Sequence, residues 1–479
     1  MDTDVLIVGA GPTGLALGID LARRGVAALV VERADTLFPG SRGKGIQPRT
    51  LEVFDDLGVL DAIREAGGDY PVQMIWRDGQ RVGEHRLFDP AEPSEGSPYA
   101  GPWMVPQWRT QEILFARLTE LGGRVAFGRE VVGLDQDEDG VTVRFAAGGS
   151  LRARYVVAAD GGRSTVRRTL GVGMTGETVD PNPLLVADLR IAGLDRDHWH
   201  VFPPGGEAGG YLAICPLAGT DDFQVVAQFP EGTSVDLSLD GIRKVLATRS
   251  HLAPEDVTEV GWASDFRPRA ALADRFRAGR VFLAGDAAHV HSPAGGQGLN
   301  TSVQDTYNLG WKLGAVLRDG APAALLDTYE EERRPVAADM LGLSTSVHRG
   351  ETRRGEATQQ LGLGYRESTL TAETRATVDG IRAGDRAPDA TVAGARLFDV
   401  FRGPHWTLLA LGTKTPETPR TPTSVRIVEG PSPEAYGTGL FLVRPDGYVG
   451  WAGATPEGLT EYVERVLGDP PAQNPSDAT

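Results

Sequence analysis

The chain of 479 residues holds a single cysteine, Cys215, and that scarcity excludes an internal disulfide framework, a cysteine-rich zinc site and a CxxC redox pair. A lone thiol within LAICPL reads as a small buried hydrophobe, and it fits a reducing cytoplasm, the expected location. Basic residues are outnumbered: 48 Lys and Arg face 65 Asp and Glu, a formal net charge of −17 that argues against nucleic acid or an anionic membrane as partner. No unbroken apolar run reaches about 18 residues, so no membrane-spanning helix is expected. The opening MDTD puts no basic segment ahead of its first apolar stretch, unlike a signal peptide. Repeats with a period of about 20 to 50 residues are missing, which sets aside solenoids and propellers. There is no GxSxG elbow to favour hydrolysis.

What is present begins at once. In VLIVGAGPTGLALGIDLARRGVAALVVER an apolar strand turns through Gly9, Gly11, Pro12, Thr13 and Gly14 into a helix, and a second strand ends at Glu32. Gly9 permits the tight turn, Gly11 lets the backbone approach a pyrophosphate, and Gly14 lets helix pack on strand, with the phosphates at the helix's positive end. Glu32 is placed to accept hydrogen bonds from an adenosine ribose, which makes this a dinucleotide site. Arg33 either stacks on the adenine or is a solvated charge. No second GxGxxG between strand and helix follows, so a separate nicotinamide-binding domain of the disulfide-reductase type is not expected.

The length predicts three domains. Residues 1–75, 105–175 and 270–382 read as one nucleotide-binding domain, discontinuous in sequence, in which strands, glycine loops and helices with three- and four-residue periodicity recur. Residues 76–104 and 176–269 read as an antiparallel sheet forming a lid or wall, from alternating segments such as LLVADLRIAG and DFQVVAQFPEG. Residues 383–470 begin a fresh set of strands, and the polar end, 471–479, reads as a disordered tail.

Three separated signatures follow in order: GAGPTG with Glu32, ADGGRSTVRRTLG at 159–171, and RVFLAGDAAHVHSPAGGQGLN at 280–300. Together they resemble the single-component FAD-dependent aromatic hydroxylases of the para-hydroxybenzoate hydroxylase superfamily, in the branch of polyketide and phenol hydroxylases. The resemblance implies an α/β fold: a discontinuous Rossmann-type FAD-binding domain, an antiparallel-sheet substrate domain and a C-terminal thioredoxin-like domain. It implies FAD as cofactor, NADPH or NADH as transient reductant, and dioxygen and a small aromatic molecule as partners of a monomer or homodimer. A flavin hydroperoxide would then hydroxylate a phenolic or polyketide-like ring. Baeyer-Villiger insertion, inactivation of an antibiotic, or a non-catalytic FAD-retaining protein stand as alternatives. A flavin halogenase lacks its WxWxIP pattern here.

Residue by residue, the resemblance puts Gly285 and Asp286 in the second FAD signature, with Asp286 on ribityl or ribose hydroxyls, and Pro293 close to the flavin ring. The glycine loop through Gly296 leads to backbone N–H groups of Gly298, Leu299 and Asn300 facing the pyrimidine edge. Asp160 matches the motif near FAD and the nicotinamide, Arg42 the arginine reaching flavin or pyrophosphate, and Gln107 the glutamine on the ribityl chain. His289 and His291 read as loop-shaping rather than metal-binding, since no further ligand cluster completes a site; no metal is expected. Trp103, Phe202, Tyr211 and Phe229 are the candidates for lining a substrate pocket between sheet and flavin.

Overall fold

The computed structural model describes residues 1–89, 91–205, 210–416 and 423–468; the expected tail at 471–479 lies outside them. The strand Thr3–Val8, whose Val5, Leu6 and Ile7 are fully buried, lies between two parallel neighbours, Ala28–Val31 and Ser150–Ala158, and the latter is followed by a parallel Val281–Leu283. Strands buried on both faces read as near-continuous apolar runs, as VLIV, YVVA and VFL do. Four signature residues follow directly on these carboxyl ends: Gly9 after Val8, Glu32 after Val31, Asp160 near Ala158 and Gly285 near Leu283. Parallel pairing therefore collects four distant stretches at one edge, where open α/β sheets bind ligands.

The second sheet has seven strands in the order Val257–Phe266, Leu184–Ile191, Asp222–Gln228, Leu212–Pro216, His198–Phe202, Val72–Arg77 and Gln80–His85. It is antiparallel except between His198–Phe202 and Val72–Arg77, which run parallel because the chain leaves the first domain, makes one hairpin and comes back. Its first strand starts at Val72, ahead of the expected boundary at 76, and Trp103–Met104 pairs instead with Gly45–Ile46 beside the nucleotide domain. Alternation divides the faces. Leu185, Ala187, Leu189, Leu212, Ile214, Phe223 and Val225 pack with Ile242 and Leu246 of the helix Leu239–Arg249. The intervening residues, Val186, Asp188, Ala213, Cys215, Gln224 and Val226, belong to the opposite face.

The C-terminal domain is a five-stranded sheet ordered Ala372–Glu373, Val449–Gly453, Gly439–Val443, Trp406–Leu411 and Val425–Gly430, backed by the helix Leu459–Leu467. Its first strand, at 372, precedes the expected start at 383. Trp406, Leu408 and Trp451 pack against Trp311 on one side, and Leu409, Phe441 and Val449 form a second core on the other. Charge is buried at the seam with the nucleotide domain. Glu332, on the helix Thr328–His348, accepts from Lys312 at 2.7 Å and from both Arg444 Nη1 and Nη2, at 2.5 and 2.9 Å. Asp446 accepts from Arg444 at 2.6 Å, Trp311 at 3.1 Å and Asn308 at 3.2 Å. Burial alone would raise the Glu332 pKa, but the two cations bring it well below the usual carboxylate range. The Lys312 pKa also falls, to about 8, which disfavours its charged form, because it is buried and shares the Glu332 carboxylate with Arg444. Arg386 reaches across the same seam to Glu52 at 2.9 Å, and Glu52 also pairs Arg49 at 2.8 Å.

Candidate functional site

At the first signature, Gly9 has φ +110° and a Cβ there would stand 2.3 Å from the Ala159 carbonyl oxygen; a Cβ on Gly14 would stand 2.0 Å from the Gly9 oxygen. Both glycines are therefore demanded by backbone against backbone. Gly11 differs, since a Cβ on it would meet nothing within 4 Å. It faces open space at the start of the helix Pro12–Arg23, which has no side-chain cap, so the first-turn N–H groups are free to face an anion. Glu32 holds this turn from the neighbouring strand: its carboxylate accepts from Ala10 N at 2.9 Å and Ala34 N at 3.0 Å. Arg33, next to it, is exposed.

The second and third signatures converge on the same edge. A Cβ on Gly285 would lie 2.8 Å from Thr13 Oγ1 and 3.0 Å from Ser302 Oγ, so this loop packs on the first helix. Asp286 stands open to the cleft, yet it lies deep enough among protein atoms that burial raises its carboxyl pKa, with His289 and Arg42 opposing the rise. Asp160 caps the helix Thr165–Thr169 by accepting from Thr165 N at 2.8 Å and Val166 N at 3.2 Å. Its other oxygen is buried without a partner, and burial raises its pKa too. Arg42 feels Asp286, Arg163 and Arg33, which places three cations and one acid about one space; burial lowers the Arg42 pKa. The guanidinium of Arg42 lies 5.0 Å from the Phe38 ring and 6.0 Å from that of Trp262. Gln107 Oε1 accepts from Gly43 N at 3.1 Å, tying the loop that carries Arg42 to the helix Gln107–Glu120.

Past Asp286, Pro293 is exposed on a short turn that Gly296 closes in the left-handed region at φ +65°. The helix Gly298–Gly314 follows. Its first intrahelical bond of this kind runs from Thr301 N to the Gln297 oxygen, leaving the N–H groups of Gly298, Leu299 and Asn300 ahead of it. The Asn300 side chain clasps the Gly45–Ile46 region: Nδ2 donates to Gly45 O at 2.9 Å and Gly296 O at 2.7 Å, and Oδ1 accepts from Gln47 N at 2.8 Å.

Beneath this edge lies a buried network that sequence reasoning missed. Asp305 accepts from Gly285 N at 3.0 Å and Arg333 Nε at 2.8 Å, and meets His289 Nε2 at 2.6 Å. Burial acts to raise the Asp305 pKa, but His289 and Arg333 lower it on balance. Arg333 donates on to Tyr365 at 2.9 Å. The His289 and His291 Nδ1 atoms are 3.3 Å apart, and burial holds the His291 ring well below its usual pKa.

The four expected pocket aromatics separate. Phe202 and Phe229 belong with the helix-covered face of the second sheet, Phe202 stacked on Trp76 at 5.9 Å and Phe229 under Arg249 at 4.6 Å; alternation corrects their expected place on the pocket wall. Trp103, half-buried on the strand paired with Gly45–Ile46, packs on the main core with Nε1 donating to Ile63 O at 3.2 Å. Tyr211 precedes Leu212 and so shares the opposite face, where burial and then Asp180 raise its pKa.

That face carries residues the sequence reading passed over. Gln224 donates to Ser41 O and accepts from Lys44 Nζ, fastening the Arg42 loop to the sheet. Asp188 is 4 % exposed with neither oxygen hydrogen-bonded, and burial pushes its carboxyl up to about 6. Period-two alternation around Leu185, Ala187 and Leu189 was the available signal for Asp188. A cavity of about 430 Å³ is lined by Asp69, Pro71, Met104, Pro216, Ala218 and Arg196 among others.

Among the described residues no helix is long and apolar enough to cross a membrane. A family model described as an FAD binding domain matches residues 2–344, and one described as the C-terminal domain of aromatic-ring hydroxylases matches 381–470. A flavin-dependent monooxygenase of Mycobacteroides abscessus is 47 % identical over 477 residues, covering 97 % of this chain and 100 % of its own. A 12-dehydrotetracycline 5-monooxygenase/anhydrotetracycline 6-monooxygenase of Streptomyces rimosus is 34 % identical, covering 98 % of this chain and 100 % of its own. The crystal structure of aklavinone-11 hydroxylase with FAD and aklavinone superposes with a TM-score of 0.82 at 29 % identity, covering 98 % of this chain and 99 % of its own. The orphaned oxygen of Asp160, the open carboxylate of Asp286 and the glycine turn facing open space fit such a dinucleotide, and the chain belongs to the FAD-dependent monooxygenases of the aromatic-ring hydroxylase family.

Proposed function

We propose that this chain hydroxylates a phenolic, polycyclic aromatic molecule of polyketide type, drawing electrons from NADPH or NADH, and that the residues expected to hold FAD do so in the roles the cleft allows. Gly11 and the first turn from Pro12 and Thr13 take the pyrophosphate, Glu32 the ribose, and Asp286 the ribityl hydroxyls. Arg42, Arg33 and Arg163 supply positive charge beside the phosphates. The free N–H groups of Gly298, Leu299 and Asn300, at the positive end of their helix, favour negative charge on the pyrimidine edge. Bound FAD supplies the hydride acceptance and dioxygen activation that no side chain supplies.

The chain's own part is to position and to exclude water. The Gln107, Gln224 and Asn300 hydrogen bonds hold the segment from Arg42 to Gln47 between the cofactor edge and the second sheet. The substrate lies against that sheet's uncovered face. The observation that carries the reading is the aromatic group Tyr70, Phe88 and Trp199, linked through Arg354 to Ala294 O, beside Pro293.

The test is a panel of polycyclic phenols with the purified yellow protein. The expected outcome is ligand-stimulated NADPH oxidation together with a product heavier by one oxygen atom. Stimulated oxidation that yields only hydrogen peroxide for every member, or no stimulation at all, overturns the proposal.

A further inference from the structure

Most deeply buried cations of this protein are paired with a carboxylate: Arg49 with Glu52, Lys312 and Arg444 with Glu332, Arg333 with Asp305. Lys44 and Arg354 are not. Among the described residues neither has a carboxylate in ion-pair contact, and each is half-buried against aromatic rings. Lys44 Nζ stands 4.4 Å from the Trp199 ring centroid; Trp199 is 6.2 Å from Tyr70, Tyr70 is 5.0 Å from Phe88, and the Arg354 guanidinium is 5.8 Å from Phe88. One continuous aromatic wall thus has a cation at either end.

The unmet hydrogen-bonding capacity along this wall is mostly that of donors. Trp199 Nε1 is buried with no acceptor. Lys44 donates to Gln224 and also acts on the buried Cys215 thiol, which leaves part of its capacity spare, and Arg354 uses one of its five N–H groups on Ala294 O. Asp188, buried and facing Ser41, acts on Lys44 from beyond ion-pair contact. Gly45 keeps the wall close to the Arg42 loop, because a Cβ there would lie 2.4 Å from the Tyr70 hydroxyl. A partly desolvated cation beside an aromatic face is stabilised by a ligand that brings both ring surface and negative charge.

We propose that this wall binds a planar polycyclic ligand through an anionic oxygen, a carboxylate or an ionised enol or phenol, and that Lys44 and Arg354 select acidic over neutral substrates. This rests on the reading that the aromatic substrate enters between the second sheet and the Pro293 turn. It adds a charge requirement which that reading does not contain.

The experiment titrates the FAD-loaded protein with 3-hydroxy-2-naphthoic acid and, separately, with methyl 3-methoxy-2-naphthoate, following binding by calorimetry. The acid is expected to bind about tenfold or more tightly than the neutral ester, and K44M and R354M each to remove about tenfold of the acid's affinity while leaving the ester's unchanged. On the unaltered protein, high KCl weakens the acid and spares the ester. Equal binding of acid and ester, or equal loss of both in the variants, overturns the proposal, the second outcome meaning that the side chains only pack. Because binding is read without turnover, acid selectivity that persists when the NADPH screen fails leaves this inference standing and removes only the activity. Turnover of neutral and acidic phenols alike does the reverse.

Discussion

At the seam between the nucleotide domain and the C-terminal domain, Glu332, Lys312, Arg444 and Asp446 are all fully or almost fully buried, and every charge has a counter-charge within 3 Å. In the cleft, Asp160 keeps one buried oxygen unpartnered, Asp188 keeps two, and Asp286 faces open space. The seam satisfies its charges from within, so their desolvation is offset in the folded chain alone. The cleft leaves carboxyl groups raised in pKa by burial and cations short of partners, the condition of a surface completed by what it binds. Removing a carboxylate should therefore have opposite consequences in the two places.

The largest expected effect is at the seam. Glu332→Ala strands Lys312 in the interior and takes from Arg444 one of its two carboxylates, leaving it Asp446, and breaking a buried pair from one side costs about 3–5 kcal/mol. Urea unfolding of the apo- and FAD-loaded protein should show that loss in both. A change below about 1 kcal/mol would mean that water enters the seam and would collapse the comparison.

Asp188→Asn should act with the opposite sign. The folded protein holds this carboxyl at about 6 against an ordinary 3.8, so the folded state binds the proton more tightly. Stability is then greatest below the lower value and declines as pH rises through the window to the upper one, above which the full burial penalty applies. Asparagine removes that penalty, so the variant should be more stable than the parent by about 3 kcal/mol at high pH and lose its advantage in acid. Equilibrium unfolding across the window decides it; a variant destabilised at high pH would show that Lys44 compensates the charge after all.

Asp286→Ala divides fold from ligand. Because burial raises this carboxyl's pKa, its ionised form is a cost to the fold at neutral pH, and its loss should leave the apoprotein at least as stable as the parent. The variant should nevertheless purify with little or no yellow colour. Unchanged flavin content measured by absorbance would remove Asp286 from the cofactor's hold.

The seam and the cleft also differ in how far the sequence disclosed them. Gly9, Gly14 and Gly285 were legible because each answers a local demand, a turn or a close backbone approach, and each sits beside an apolar strand. Asp160 and Asp286 stood in short patterns of the same kind. Glu332, Arg444, Asp305 and Arg333 carry no local signature; they meet through helix and sheet packing across long stretches of chain, and in the sequence they resemble ordinary surface charges. Phe202 and Phe229 were misplaced for a third reason: period-two alternation separates the faces of a strand without saying which one a helix will cover. The helix Leu239–Arg249 decided that, and left the opposite face, which carries Trp199, uncovered.

The smallest effect on the fold, and a sharp one for the cleft, is expected at Gly11. Its backbone lies at φ −73° and ψ 177°, open to any residue, and an added Cβ meets no protein atom within 4 Å. Gly11→Ala should thus alter apoprotein stability by only about 0.5 kcal/mol, the scale of a change at a helix N-cap that breaks no side-chain bond. The methyl group nevertheless occupies the space in front of the helix's free N–H groups, where a pyrophosphate needs the backbone to come close. Flavin affinity, measured by fluorescence on reconstituting apoprotein, should fall while the unfolding midpoint without flavin stays put. If both hold, the empty space at Gly11 belongs to the ligand; if affinity is unchanged, the phosphates lie elsewhere along this edge.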